Sequence, residues 1–208
     1  QVLTSFVGIL MNSILLAFST TAVAVYGVCT RISAVSTVGV HGINNGLIPV
    51  IAYNYGAGNK QRISDAVKWA MIYGALLYLL FFAALELFPA AVLQIFDASD
   101  YMLEIGIPAL RIFALVWFIG IPGLVMAAAL QGLSMGFGSM MITMTRQAIL
   151  PLLFAVLLQT AGNLNLIWAA FIIAEAVGIP LALTLWKNGF QKALTQEERQ
   201  SAKTNVYG

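Results

Sequence analysis

The sequence predicts an all-α, polytopic transmembrane helix bundle, and three observations carry that prediction. Of its 208 residues 61% are hydrophobic and 9% charged, where an average soluble domain carries roughly 25% charged residues. The mean hydropathy is +0.91. The apolar residues also fall in long uncharged runs, and in lipid each backbone N–H and C=O must be paired inside its own segment, which a helix achieves. Soluble, disordered, collagen-like and disulfide-stapled classes are excluded. Cys29 is the single cysteine, so neither an intrachain bridge nor a cysteine metal cluster can form.

Six apolar runs follow one another, at 2–18, 22–51, 66–88, 105–130, 140–160 and 164–186. A helix rises about 1.5 Å per residue, so about 20 residues cross the ~30 Å hydrocarbon core, and each run is predicted to span. The first is short and is expected to be truncated. The second overshoots a bilayer by roughly ten residues and holds Gly39, Gly42, Gly46 and Pro49, so it is expected to bend or to extend past the membrane. The fourth carries Gly120-Ile121-Pro122-Gly123 near its middle. Glycine and proline together predict a loosened helix there, which membranes tolerate where it is buried or lines a wet cavity. Residues 1–190 are read as one six-helix lobe and 191–208 as a polar tail, frayed or folded into a short surface helix. The chain begins at Gln1 and is apolar from Val2, and it is expected to be a piece of a longer protein.

Loop charges set the orientation. Lys60 and Arg62 lie between runs two and three with Lys68 just inside, and the tail holds Lys187, Lys192, Arg199 and Lys203. The loop between runs three and four holds Asp97, Asp100 and Glu104, with Arg111 the nearby base. The positive-inside rule then puts Lys60 and the C-terminus in the cytoplasm of a multi-pass cell-membrane protein. The net charge of +2 and the pI near 8.8 reflect that distribution. They make no case for nucleic acid; the partner read from composition is the lipid bilayer.

Residues able to carry chemistry are few. On the second run Tyr26, Thr30, Ser33, Thr37, His41 and Asn44 fall within an arc of roughly 80°, one face of a helix. Lipid does not reward such a face. It meets either an aqueous cavity or other helices, since hydroxyl and amide side chains also join helices in membrane bundles. Charges inside spans cost roughly 2.5–3.5 kcal/mol on insertion scales. Glu175, near the centre of run six, is read as an ion-coupling group or as the structural partner of a base on another helix. Arg31, in run two, and Arg146, beside Thr143 and Gln147 in run five, are read as paired or snorkelling bases. His41 is the sole histidine, so no metal site is predicted, and phosphate-loop, nucleotide-fold and zinc-protease spacings are absent. The eight methionines and twelve phenylalanines are read as lipid-facing or core residues ahead of substrate contacts.

One stretch is more specific. Gly46, Pro49, Tyr53-Asn54-Tyr55-Gly56-Ala57-Gly58-Asn59 and the basic Lys60 and Arg62 resemble the signature of the multidrug and toxic compound extrusion (MATE) transporters. Gly56 and Gly58 are suited to end the helix with positive φ, and Asn59 tolerates the same region. Leu130-Gln131-Gly132, Arg146 with Pro151, and Trp168 with Ala174-Glu175 support the resemblance. It implies helices seven to twelve of a twelve-helix, two-lobe transporter, with the N-terminal six-helix half of the same chain as the missing partner. It implies no enzyme and no cofactor, but antiport, in which inflow of H+ or Na+ drives export of small cationic amphipathic drugs by alternating access. On the same resemblance the cavity helices are runs one, two, four and five, with Asn12, Thr30, Ser33, Thr37, His41, Asn44, Thr143 and Gln147 as substrate-cavity residues.

The chain departs from some sodium-coupled branches, which carry acidic residues in helices seven and ten. Run one offers only Asn12, and run four has no carboxylate beyond its start. The main coupling carboxylate is therefore expected in the other half. Two readings stand behind the antiporter. A flippase for lipid-linked oligosaccharides, from the same superfamily, needs a strongly cationic cavity, against the three bases Arg31, Arg111 and Arg146. An intramembrane enzyme or accessory subunit is third, and an enzyme needs a convergent acid, base or metal cluster.

Overall fold

The computed structural model describes residues 2–207, with side chains described over 5–193 and at Thr195; Gln1 and Gly208 lie outside them. The described elements are helices: α1 (Val2–Leu16), α2 (Thr20–Gly56), α3 (Lys60–Leu87), α4 (Pro89–Gln94), α5 (Asp100–Gly132), α6 (Gly136–Met144), a π-helical turn (Thr145–Ile149), α7 (Leu150–Gln159) and α8 (Leu164–Tyr207). From α6 through the π turn to α7 the chain forms one continuous rod, Gly136–Gln159. The six runs thus become six rods. Five are long and apolar enough to cross a membrane, and α1 is shorter. The all-α membrane bundle expected from the sequence is the observed architecture.

Side-chain oxygens start three of the rods. Ser19 Oγ accepts from the Ala22 N–H at 3.0 Å, Asn59 Oδ1 from Arg62 at 3.1 Å and Ser99 Oγ from Met102 at 3.3 Å, each satisfying a donor the first helical turn leaves open. The turn between α2 and α3 corrects part of the signature reading. Only Gly58 takes positive φ, at 68°; Gly56 is the last helical residue and Asn59, at φ −92°, serves as the N-cap of α3. None of the apolar runs predicts α4, which Pro89 opens from its first turn.

The axis of the bundle is α5. Of its apolar stretch 61% is buried, against 22% for α3, so α5 is the central helix and α3 a peripheral one. Its N-terminal half packs Leu110 and Phe113 with Met11, Leu15, Val25 and Trp168. Further along, Val125 and Ala129 pack with Leu47, Ile51 and Tyr78, and Met126 and Leu130 with Ile142 and Ala182. Small residues let the backbones approach. A Cβ on Gly132 would lie 2.7 Å from the Ile51 Cβ and 2.9 Å from the Ile48 carbonyl, so α2 and α5 close on each other there.

Two sequence expectations are overturned and one is narrowed. The middle of α5 is not loosened: the helix runs unbroken from Asp100 to Gly132 with Pro108 and Pro122 inside it, and its glycines admit a neighbouring side chain instead. The irregular turn lies in the fifth rod. Pro151 has no N–H for the Gln147 carbonyl, and the Leu150 N–H reaches back five residues to Thr145, giving the wider π turn. The polar tail is neither frayed nor a separate surface helix, because α8 continues as one helix to Tyr207. Of the two outcomes expected for run two, extension is present: α2 has 37 residues, about 55 Å of helix.

Candidate functional site

Arg146, in the π turn, and Glu175, on α8, form a buried ion pair. Arg146 Nε and Nη2 donate to Glu175 Oε2 at 2.9 and 2.7 Å, and Nη2 also donates to the Gly120 carbonyl on α5 at 2.9 Å. Their side chains are 3% and 10% exposed. The guanidinium fits because three positions beside it lack a side chain. A Cβ on Gly123 would collide with the guanidinium itself, one on Gly120 would approach Nη2 to 3.0 Å, and one on Gly178 would strike the Arg146 stem. Three rods are thereby tied at mid-bundle. Removing one member of such a pair leaves an uncompensated buried charge, at a cost of about 3–5 kcal/mol.

Beside the pair lies a half-open cavity of about 750 Å³, walled by α1, α2, α5, the π turn with α7, and α8. Thr30, Ser33, Thr37 and His41 line it from α2, and Gln147, Arg146 and Glu175 from the fifth and sixth rods. Part of the lining is aromatic: Tyr26, Phe113, Trp117 and Phe171. Their rings are in mutual contact, with Phe113 and Phe171 centroids 4.7 Å apart, Phe113 and Trp117 5.6 Å, and Tyr26 and Phe171 6.2 Å.

The polar face of α2 divides in two. Thr30 Oγ1 donates to the Gly27 carbonyl at 2.9 Å and Thr37 Oγ1 to Ser33 at 2.8 Å. These hydroxyl donors are spent on their own helix, so they glue no neighbour and turn acceptor lone pairs to the cavity. Asn44 does the reverse. It is buried, its Nδ2 donates to the Leu124 carbonyl of α5 at 3.3 Å, and it is not among the residues that line the cavity. Asn44 therefore joins helices rather than lining the space.

Three other expected residues also fall outside this cavity. Asn12 is exposed on α1, and Thr143 is exposed with its Oγ1 bonded to the Ser139 carbonyl at 3.1 Å. Arg31 is exposed and, among the described residues, has no ion-pair partner. Arg111 lies near Glu86, 3.6 Å from Nε to Oε2. Sequence reasoning missed the aromatic wall and the glycine notch. Their signal was present as i, i+4 pairs, Phe113 with Trp117 and Phe171 with Glu175, each sharing one helix face. Among the described residues no three of His, Cys, Asp and Glu gather as a metal site would require.

A family model described as MatE matches residues 1–157. The chain belongs to the MatE family. Among curated relatives, the multidrug export protein MepA of Staphylococcus haemolyticus (strain JCSC1435) is 25% identical over 183 residues, 88% of this chain and 40% of the relative. MepA of Staphylococcus aureus (strain NCTC 8325 / PS 47) is 24% identical over 178 residues, 85% of this chain and 39% of the relative. The MatE chain thus spans about two-fifths of the curated relatives it matches. Among solved structures, a MATE in the straight conformation superposes with a TM-score of 0.83 at 21% identity, over 96% of this chain and 44% of that one. An outward-facing multidrug resistance MATE family transporter of the MOP superfamily gives 0.82 at 21% identity, over 95% and 44%. This similarity fixes the fold as that of a multi-pass MATE membrane bundle. The curated relatives are named multidrug export proteins; the MatE family is not one of enzymes, and the intramembrane-enzyme reading falls on that ground.

Proposed function

We propose that this MatE chain is one six-helix lobe, the C-terminal half by resemblance, of a secondary antiporter that exports small cationic, amphipathic drugs in exchange for H+ or Na+ by alternating access. The observation that carries the reading is the cavity beside the paired Arg146. Its volume of about 750 Å³ suits a drug-sized molecule, and its aromatic wall offers ring faces that attract organic cations. Arg146 is neutralised in place by Glu175, so no unpaired guanidinium there repels a cation. The same fact weakens the flippase reading. A pyrophosphate needs several free donors, whereas Arg146 Nε and Nη2 are taken by Glu175 and the Gly120 carbonyl, which leaves only Nη1, Arg31 is outside the cavity and Arg111 stands beside Glu86.

Coupling requires a group that binds the ion differently in the inward and outward states. With Glu175 held by Arg146, that group is assigned to the second lobe, and Glu175→Gln lowers export without removing its dependence on the ion gradient. Lys60 and the C-terminus face the cytoplasm in this reading. The test is uptake of a fluorescent organic cation into proteoliposomes holding the full-length transporter, under an imposed proton or sodium gradient. Transport under one of these gradients is expected; none under either contradicts the proposal.

A further inference from the structure

We infer that Glu175 Oε1, with the Phe171, Phe113 and Tyr26 rings beside it, forms a subsite for the N–H group of a substrate ammonium or amidinium, and that Arg146 is the positioning residue that presents this oxygen. The inference deepens the antiporter reading and rests on it.

Both donors that Arg146 offers Glu175 go to Oε2. No hydrogen bond from a described residue reaches Oε1. Nor is Oε1 sealed away: the buried side-chain atoms left without a partner are Asn44 Oδ1 and Trp168 Nε1. Glu175 is 8% exposed, and it borders the cavity. A carboxylate oxygen accepting nothing in so enclosed a place is a vacant acceptor for a charge-assisted hydrogen bond.

Phe171 precedes Glu175 by four residues on α8, so both project from one helix face. The Phe171 ring is in turn packed on Phe113 and Tyr26. A cation whose nitrogen donates to Oε1 would lie near these ring faces, which carry the negative side of the ring quadrupole. Arg146 Nη1 also lacks an acceptor among the described residues, and would draw an anion instead. The Arg146 side chain is the less exposed of the two, 3% against 10%, and ring faces repel anions. The cation reading wins.

The consequence is selectivity for cations that carry an N–H over those that do not. The probes are 4′,6-diamidino-2-phenylindole, a fluorescent bis-amidine, and tetraphenylphosphonium, which has no N–H. In the full-length transporter, Glu175→Gln should raise the Kd of the bis-amidine at least about tenfold more than that of tetraphenylphosphonium, the scale of one charge-assisted hydrogen bond. An equal change for both cations, or none, overturns the inference. A second measurement needs no variant. The wild-type protein should bind an arylalkylammonium at least tenfold more tightly than its N-trimethyl analogue, and equal or reversed affinities overturn it, as does displacement of the bis-amidine by an aryl carboxylate. If the wild type transports neither cation, the antiporter reading itself fails; if it transports both and shows no N–H preference, this inference alone fails.

Discussion

Gly123 sets the position of a charge by the methyl group it lacks. A Cβ there would collide with the Arg146 guanidinium, so alanine must push Arg146 away from Glu175 and from the Gly120 carbonyl. Gly123→Ala is therefore expected to destabilise the protein by about 1–3 kcal/mol, the usual cost of overpacking, and to lower the thermal midpoint of the purified transporter in detergent. Gly27→Ala is the control: nothing lies within 4 Å of a Cβ at that position, and alanine is the better helix former. Its midpoint should hold or rise slightly. A midpoint for Gly123→Ala equal to that of Gly27→Ala would contradict the notch. At this scale the sequence was half legible. Arg146 and Glu175 each stood out because a charge in a span is costly, but they are 29 residues apart in the chain and on different rods. Nothing local to either one names the other. The cavity's phenylalanines were harder still, because in a chain this apolar the same residue type serves lipid contact, core and cavity alike.

The fifth rod shows what one proline does to an element. Pro151 leaves the Gln147 carbonyl without its regular donor, and the chain before it widens into the π turn that carries Arg146. A regular α-helix through the same residues would turn Arg146 relative to α7 by a large fraction of the 100° that separates successive residues. Pro151→Ala restores the missing donor and favours that regular helix. The expected outcome is a severalfold fall in export with normal membrane expression, as Arg146 swings off Glu175; unchanged export would show that the π turn is held by packing and not by the proline. Element existence was readable throughout, since six apolar runs became six rods. Irregularities were not. Gly120-Ile121-Pro122-Gly123 pointed to a weak point in α5, yet that helix stays continuous, with Gly120, Ile121 and Gly123 buried, and the distortion lies where a proline meets a buried arginine.

For the molecule as a whole, the loop charges predict a sidedness that can be measured. Lys60 and Arg62 are proposed to lie in the cytoplasm and Asp97 and Asp100 outside. Gln61 and Gln94 are exposed, and neither caps a helix. Gln61→Cys and Gln94→Cys, each in a Cys29→Ala background, should react differently with a membrane-impermeant thiol reagent in intact cells: labelling at 94 and none at 61. The opposite pattern would invert the orientation. The class of fold was legible because composition and run length are properties of the whole chain, and the turn signature around Tyr53 to Arg62 narrowed it to one family. The cavity was legible only as a stripe on α2. Its other walls come from four more rods, and periodicity within one helix carries no record of what stands opposite.

The central claim is that this cavity is the path of the exported cation, and Thr37 tests it most directly. Thr37 lines the space, and its hydroxyl is bonded within its own helix, so tryptophan there fills volume without breaking a contact between helices. In cells expressing the full-length transporter, export of a fluorescent organic cation by Thr37→Trp should fall at least about tenfold, a barrier increase of about 1.4 kcal/mol or more, while the protein reaches the membrane at its normal level. Export at the wild-type rate by a correctly inserted Thr37→Trp protein would contradict the account.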